Sequence, residues 1–223
     1  MIKNLTKWIR SSVYLFVLLG FISVNAGSYE DFFSAIKRDD AAALSTLLAR
    51  GFDANTLDPQ GLHGLYLALQ EASLKSARVL TDWPKIDPNK LNAQGESPLM
   101  MAALKGQLDI AARLIKKDAD VNKTGWTPLH YAASGGHLAI ISLLLENHAY
   151  IDAGSPNGST PLMMAAQYGS AAAVKLLLEA GADPLLKNQL GLSAIDFAQR
   201  AKRSDAVEAI AGFIRGRQPK GKW

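Results

Sequence analysis

The feature that most constrains this chain is a short segment that recurs about every 33 residues. Each copy begins with a glycine, and successive glycines are separated by 34, 30, 33 and 33 residues. A fixed period of this length is typical of proteins built from stacked units, each of which contacts only its neighbours. The copies, of which the first is the weakest, are Gly61-Leu-His-Gly-Leu-Tyr-Leu-Ala-Leu, Gly95-Glu-Ser-Pro-Leu-Met-Met-Ala-Ala, Gly125-Trp-Thr-Pro-Leu-His-Tyr-Ala-Ala, Gly158-Ser-Thr-Pro-Leu-Met-Met-Ala-Ala and Gly191-Leu-Ser-Ala-Ile-Asp-Phe-Ala-Gln.

The residues of one copy predict how a single unit folds. Ser97, Thr127 and Thr160 are suited to cap helices, because their side-chain oxygens can accept hydrogen bonds from the free amides at a helix start. Pro128 follows at the first helical position, where the missing N–H of proline costs nothing. A second helix in each unit carries a larger apolar stripe, as in residues 140–144. A single unit cannot bury that stripe alone, so we expect stacking on neighbours to supply the stability.

With Thr-Pro-Leu-His-Tyr-Ala at 127–132, the chain resembles the ankyrin-repeat family over residues 29–214. The resemblance implies an all-α fold, a solenoid of stacked helix-turn-helix units with β-hairpin finger loops and a capping repeat at each end. We expect the ankyrin-repeat domain to occupy residues 27–214. Its predicted parts are an N-terminal cap at 29–57, repeats starting near 58, 92, 123 and 155, and a C-terminal cap at 188–214.

Three positions depart from the repeat pattern. The 30-residue step is about three residues short of the usual period, and the shortage falls between Asn122 and Gly125. We therefore expect a shortened finger there. Asp118 and His148 stand where a helix-ending glycine is usual, which predicts a positive φ angle at each.

The N-terminal end predicts export. Lys3, Lys7 and Arg10 precede an apolar run of about twelve residues that ends in a small-residue cleavage sequence. A membrane-spanning helix needs roughly 20 residues, so we expect residues 1–26 to be a cleavable signal peptide, with an uncleaved anchor as the alternative. The mature protein would then be periplasmic or secreted from a bacterium, without a stable membrane anchor.

Composition excludes several classes of function. The chain has no cysteine, which excludes disulfides, thiolate metal sites and a cysteine nucleophile. Its 24 Lys and Arg against 20 Asp and Glu give a net charge of +4, too weak to indicate nucleic-acid binding. Much of that charge lies at the ends, because residues 215–223 carry four basic side chains and no acid. We expect this segment to be a disordered basic tail.

The remaining chemistry-bearing side chains show no catalytic pattern. His130 occupies the signature histidine and His137 a common loop position, so we expect both to be structural. No metal-binding histidine spacing, phosphate-binding loop or nucleophile elbow is present, and we predict no enzyme activity, cofactor or metal. The alternative is a metal- or ligand-binding enzyme, for which thioethers that bind Cu(I) would be one basis, although methionine at such positions is normally core. The methionines concerned are Met100, Met101, Met163 and Met164.

The resemblance implies that the concave surface of the solenoid binds another protein. Trp126, Tyr131 and Tyr168 are the strongest candidates, because exposed aromatic side chains are favoured in binding sites. For Trp126, packing between units is the alternative. We expect a monomer that acts as an accessory partner of a periplasmic enzyme, with an immunity-type antagonist of a toxin as the competing role. The candidate partner-binding residues are Gln60, Leu62, Gln94, Glu96, Lys105, Trp126, Tyr131, Asn157, Ser159, Gln167, Tyr168, Gln189, Leu192 and Arg200.

Overall fold

The computed structural model describes residues 27–217, and these form an all-helical solenoid. The signal-peptide prediction for residues 1–26 and the last six residues of the predicted tail lie outside the described residues. The helices are α1 (27–37), α2 (Ala41–Ala49), α3 (Gly64–Gln70), α4 (Leu74–Asp82), α5 (Pro98–Leu104), α6 (Leu108–Ile115), α7 (Pro128–Gly135), α8 (Leu138–Glu146), α9 (Pro161–Gln167), α10 (Ala171–Glu179), α11 (Ala194–Arg200) and α12 (Ser204–Arg217).

The helices form two layers. Helices α3, α5, α7, α9 and α11 pack side by side in the first layer, and the even-numbered helices α2 to α12 pack side by side in the second. The first-layer helices approach closely because small side chains lie between them: Ala132 and Ala165 are completely buried. The second layer contributes larger buried side chains, such as Ile141 in α8 and Leu177 in α10. The predicted all-α solenoid is confirmed.

The predicted helix starts are present, but the cap at one of them differs. The Thr127 side chain accepts no hydrogen bond from the amides of its helix, and its hydroxyl instead lies 2.9 Å from His130 Nδ1. The Ser97 and Thr160 side chains accept hydrogen bonds from the amides of Met100 and Met163, at 3.3 and 3.4 Å. A proline occupies the first turn of α5, α7 and α9 in each case. The weak first copy has Gly64 instead, where a Cβ would lie 2.8 Å from the Phe32 ring. The N-terminal helix α1 therefore packs too closely on α3 for the usual proline.

The finger loops are tight turns rather than β-strands. In the second finger, the Asn92 amide donates to the Glu96 carbonyl at 3.0 Å. Equivalent bonds close the loops at 58–62, 155–159 and 188–192. A single isolated bridge, between Leu57 and His63, is the only β-type pairing within residues 27–217. The loop before α7 lacks the closing bond that the other four loops share within the described part of the chain, which confirms the shortened finger.

Three asparagine side chains join the bases of three successive fingers to the next unit, and their positions show where the third of these fingers is shortened. Asn55 donates to the Lys85 carbonyl at 2.8 Å and accepts from the Asp87 amide at 2.7 Å. Asn89 and Asn122 repeat this pair of contacts one and two units later. Since Asn55 and Asn89 each precede their finger glycine by six residues and Asn122 by three, three residues are missing directly after Asn122.

Two further expectations are decided by backbone angles and helix length. Asp118 and His148 have φ angles of 61° and 63°, as their positions at helix ends predict. Helix α12 runs on to Arg217, and the Arg217 guanidinium lies 4.5 Å from the centroid of the Phe213 ring. The prediction of a disordered tail from residue 215 is therefore wrong for its first three residues, which form the last turn of α12. No helix within 27–217 is both long and apolar enough to cross a bilayer.

Candidate functional site

The first-layer face of the solenoid contains a groove of about 310 Å³ that spans three units. It lies across α5, α7 and α9 and reaches the residue that precedes α7. Most of its accessible surface is apolar. We call it the aromatic groove, and its lining residues are Leu104, Trp126, His130, Tyr131, Ser134, Met164 and Tyr168.

The local structure around α7 places Trp126 at the edge of the aromatic groove. Trp126 directly precedes the helix cap, so its ring packs against side chains of its own helix. Its centroid lies 5.2 Å from that of His130 and 6.5 Å from that of Tyr131, with interplanar angles of 75° and 76°. The ring remains 38% exposed, and Tyr168 across the groove is 63% exposed. Both rings are therefore supported on one side and open to solvent on the other.

The Glu96 carboxylate adjoins the aromatic groove and links three units. The Tyr131 hydroxyl donates to Glu96 Oε1 at 2.7 Å, and the Asn92 amide donates to Oε2 at 2.8 Å. The Tyr66 hydroxyl from α3 donates to the same Oε2. Burial acts to raise the pKa of Glu96, but hydrogen bonds from Tyr66, Asn92 and Tyr131 outweigh it and lower the pKa overall. Glu96 is consequently ionised at neutral pH.

The same hydrogen bonds raise the pKa values of the two tyrosines, whereas they lower the pKa of Glu96. Burial raises the pKa of Tyr131, and the hydrogen bond to the Glu96 carboxylate raises it further. The pKa of Tyr66 is raised by the same two causes in the same order. Both phenols therefore remain protonated donors to Glu96 at neutral pH.

His130 is a structural residue at the floor of the aromatic groove. It is completely buried. The Thr127 amide donates to Nδ1 at 3.2 Å, and Nε2 lies 2.9 Å from the Ser159 carbonyl of the next unit. Burial lowers the pKa of His130 to about 4, so the ring is neutral and Nε2 carries the proton. This confirms hydrogen bonding within and between units, and His137 likewise contacts the Leu104 carbonyl at 2.9 Å.

The family described as "Ankyrin repeats (3 copies)" matches this chain in four overlapping stretches, 32–124, 65–155, 121–188 and 147–216. These stretches cover nearly all of the described residues. The chain belongs to the ankyrin-repeat family. Such repeats mediate protein–protein interaction.

The curated relatives share the repeats but differ in overall size. The chain is 40% identical to the rat "Ankyrin repeat and SAM domain-containing protein 6" over 98 residues, which are 42% of this chain and 11% of that protein. It is 33% identical to the Arabidopsis thaliana "Ankyrin repeat-containing protein ITN1" over 120 residues, or 52% of this chain and 18% of that one. The chain therefore spans less than a fifth of the length of these relatives.

Two solved structures resemble the ankyrin fold described above over most of its length. One is described as "EF0377 an Ankyrin Repeat Protein", with a TM-score of 0.68 and 26% identity over 81% of this chain and 96% of that one. The other is a chain of the Bdellovibrio bacteriovorus complex of "Bd0816 Predatory Endopeptidase" with "immunity protein Bd3460". Its TM-score is 0.69 and its identity is 29%, over 82% of this chain and 97% of that one.

The ankyrin stacking brings some of the sequence-predicted residues together and separates others. Trp126, Tyr131 and Tyr168 share the aromatic groove, and Glu96 is bonded to it. The contacts of Trp126 with other aromatic rings, those of His130 and Tyr131, lie within its own unit. The remaining exposed candidates are distributed along the solenoid, at Gln60, Gln94, Lys105, Asn157, Gln189 and Arg200. Those that are half-buried are Leu62, Gln167 and Leu192.

One predicted contact residue is placed in the interior. Ser159 is 1% exposed. Its carbonyl contacts His130 Nε2 at 2.9 Å, and its hydroxyl accepts a hydrogen bond from the Asn188 amide at 3.3 Å. The prediction that Ser159 contacts a partner is wrong for this conformation, because the side chain instead joins the fourth finger to the fifth. The sequence pattern alone does not separate it from Trp126 and Leu192, which occupy the same position in their units.

Two groove features were not predicted as binding features. Met164, expected only as core, lines the aromatic groove although it is 5% exposed. Tyr66 occupies the signature-histidine position of the weak copy and donates to Glu96 of the next unit. His130, at the same position of its own unit, likewise contacts Ser159 of the unit that follows it. That shared position was the available signal. Residues 27–217 contain no cluster of three or more His, Asp or Glu side chains placed to hold a metal ion.

The second-layer face differs from the aromatic groove. A depression of about 310 Å³ there is lined mainly by charged side chains, among them Arg113 and Asp82. Arg113 pairs with Asp82 at 2.9 Å and with Asp109 at 3.1 Å. These pairs are exposed, and such surface ion pairs contribute little stability. The two depressions therefore differ in their side chains, which are charged and paired on the second-layer face and aromatic in the groove on the first-layer face.

Proposed function

We propose that this protein is an exported bacterial ankyrin-repeat protein that binds another protein through its concave, first-layer face. The observation that carries the proposal is the aromatic groove, which presents Trp126 and Tyr168 from two adjacent units. Exposed aromatic side chains beside an apolar groove are typical of the residues that dominate binding energy. We expect binding and not catalysis, because the Ser134 hydroxyl in the groove donates to the His130 carbonyl and not to a base.

Export is supported by the sequence of residues 1–26, which has the basic, apolar and small-residue parts of a signal peptide. The test is expression of the full chain in a Gram-negative host, with fractionation and N-terminal sequencing of the product. We expect a periplasmic protein that begins at Gly27. Retention of the full-length chain in the membrane fraction would contradict cleavage.

The first candidate role is that of an accessory partner supporting an enzyme of the export compartment. The competing role, an antagonist that blocks an enzyme, is favoured by the resemblance to the Bdellovibrio complex of an endopeptidase with an immunity protein. The two roles differ in the sign of their effect. Adding the purified protein to the captured enzyme would raise or preserve its activity in the first case and inhibit it in the second.

The proposal is tested by affinity capture of the mature protein from the periplasm of its own host. Trp126→Ala and Tyr168→Ala should each reduce the recovered partner at least tenfold, because both truncate the aromatic groove. Tyr150→Ala is the matched control, since Tyr150 is 67% exposed and lies outside the groove. Equal recovery with all three variants, each shown to be folded by its thermal melt, would overturn the assignment of this surface.

A further inference from the structure

The Glu96 carboxylate has an unusual set of partners for an ionised, half-buried group. Its hydrogen bonds come from two tyrosine hydroxyls and one asparagine amide, all of which are neutral. Among the residues that the structure describes, no lysine, arginine or histidine pairs with it. Three neutral donors are enough to keep the carboxylate ionised, and they leave its net negative charge unneutralised. The Lys123 ammonium is nearby, since it lies 3.9 Å from where a Cβ on Gly95 would stand, but it donates to the Thr124 carbonyl and forms no ion pair with Glu96.

The carboxylate is directly coupled to the aromatic groove. Tyr131 lines the groove and donates its hydroxyl hydrogen to Glu96 Oε1 at 2.7 Å. The rings of Trp126 and Tyr131 lie at 76° to each other with centroids 6.5 Å apart, so they offer two faces in different directions. Cations bind to the faces of such rings within about 6 Å of the centroid.

The apolar lining of the groove suits an aliphatic chain. Leu104 from α5 and Met164 from α9 supply this lining on the two sides of α7. Arginine and lysine carry a positive head group on an apolar stem, and the stem packs on apolar surface while the head seeks charge or water. A basic side chain therefore matches the site, with its stem on the apolar lining and its head toward the Tyr131 hydroxyl and the Glu96 carboxylate bonded to it.

The shortened finger leaves the site accessible. Three residues are missing between Asn122 and Gly125, and Trp126 at the edge of the groove follows directly. The fingers on either side keep their full turns at 92–96 and 155–159. The row of finger tips consequently has a gap next to the aromatic groove, through which a protruding segment of a partner can enter.

We propose that the aromatic groove binds an arginine or lysine side chain that protrudes from the partner protein, with the Glu96 carboxylate as its counterion. This inference rests on the proposed function and names the chemistry of the residue that the partner inserts. It predicts a partner whose interface carries a basic residue at the tip of a loop or terminus.

The test is a selection from a random peptide library displayed on phage, with the purified mature protein as bait. We expect enriched peptides to share an arginine or lysine. Replacing that residue in a synthetic peptide by norleucine, its uncharged counterpart, should weaken binding at least tenfold in a calorimetric titration. Trp126→Ala and Tyr168→Ala should weaken it by a similar factor, whereas Tyr150→Ala should not change it.

A second variant tests the charge of Glu96 separately from the shape of the aromatic groove. Glu96→Gln keeps one acceptor oxygen for Tyr131 and removes the charge, but its NH2 group replaces the oxygen that accepts from Tyr66 and Asn92. With its fold checked by thermal melt, the variant should bind the peptide several-fold more weakly. Its dissociation constant should also become less sensitive to added NaCl, because screening acts on the ion pair. Retained affinity and retained salt dependence would overturn the role of Glu96.

The outcomes also separate this inference from the proposed function. Enriched peptides with apolar anchors and no basic residue, or peptides insensitive to Trp126→Ala and Tyr168→Ala, would overturn the inference. No enrichment above background would overturn it as well. Periplasmic capture that still depends on Trp126 would leave the proposed function standing in each of these cases.

Discussion

Two units of the solenoid each contain a completely buried histidine, His130 in one and His63 in the other, and the two histidines differ in their hydrogen bonding. Both rings are completely buried, and burial lowers the pKa of each to about 4. His130 caps its own helix and bonds the next unit. His63 stands where Thr127 stands in its unit, and within 27–217 neither ring nitrogen makes a hydrogen bond of normal geometry, although a weaker contact with the Lys90 backbone acts to raise the pKa of His63 against burial. The difference shows that the repeat can tolerate one unpaired polar ring, provided that neighbouring units supply the stability.

The largest expected effect is a loss of stability in acid. Above about pH 7.5 the two histidines are neutral in both the folded and unfolded states, so they contribute no pH dependence there. As pH falls from 6.5 to 4, the unfolded chain takes up protons that the folded protein does not. Each histidine should then cost roughly 3 kcal/mol of unfolding free energy at pH 4.

The acid effect is measured by urea denaturation at pH 7.5 and pH 4. His63→Ala and His130→Ala should each lose roughly 3 kcal/mol less than the unmodified protein between the two conditions. A variant that keeps the full pH dependence would show that its histidine is protonated in the folded state.

At pH 7.5 the same two variants should lose different amounts of unfolding free energy. His130→Ala leaves a cavity and also removes a helix cap and an inter-unit bond, which should cost about 3 kcal/mol. His63→Ala leaves a similar cavity but removes no hydrogen bond, so we expect a cost of about 1 kcal/mol. Equal losses in urea denaturation would mean that His63 is paired in solution.

Glu96 connects the two units, and its hydroxyl donors can be removed one at a time. Tyr131→Phe and Tyr66→Phe should each cost about 1.5 kcal/mol, because each removes a hydrogen bond to a charged group. Each should also raise the pKa of Glu96, which carbon NMR titration of its carboxyl group would detect. Tyr150→Phe is the control, and a Glu96 pKa that stays unchanged in Tyr131→Phe would contradict the network.

The smallest expected effect concerns an exposed histidine. His148 ends α8 with a φ angle of 63°, a region that glycine occupies without strain. His148→Gly should therefore stabilise the protein by about 0.5 kcal/mol, measured as a shift in the thermal melting midpoint. A loss of stability would show that the His148 side chain makes a contact worth more than the backbone strain.

The sequence predicts those features of the fold that depend on short-range rules. The caps at Ser97 and Thr160, the positive φ angles at Asp118 and His148 and the shortened finger all follow from residues within one unit. The extension of α12 to Arg217 was missed because the prediction rested on composition alone, which does not register the contact of Arg217 with Phe213 one turn earlier in the helix.

The candidate site could be predicted only in part. Repeat alignment identifies Trp126 and Tyr168 as equivalent to contact positions, and stacking brings them to one groove. It does not reveal that Ser159 is buried while Trp126, at the same position, is exposed. That difference depends on the size of the side chain and on its contacts with the neighbouring unit. The Glu96 bonds to Tyr66 and Tyr131 join residues 30 and 35 positions away, so they become visible only once three units are stacked.

The central claim, that the aromatic groove is the surface that binds a partner protein, is tested most directly by site-specific photo-crosslinking in the native host. A photoreactive benzoylphenylalanine replaces Tyr168 in one strain and Tyr150 in another, and the cells are irradiated. The account predicts a discrete crosslinked adduct with another protein from position 168 and none from position 150. Adducts of equal yield at both positions, or an adduct from position 150 alone, would contradict it.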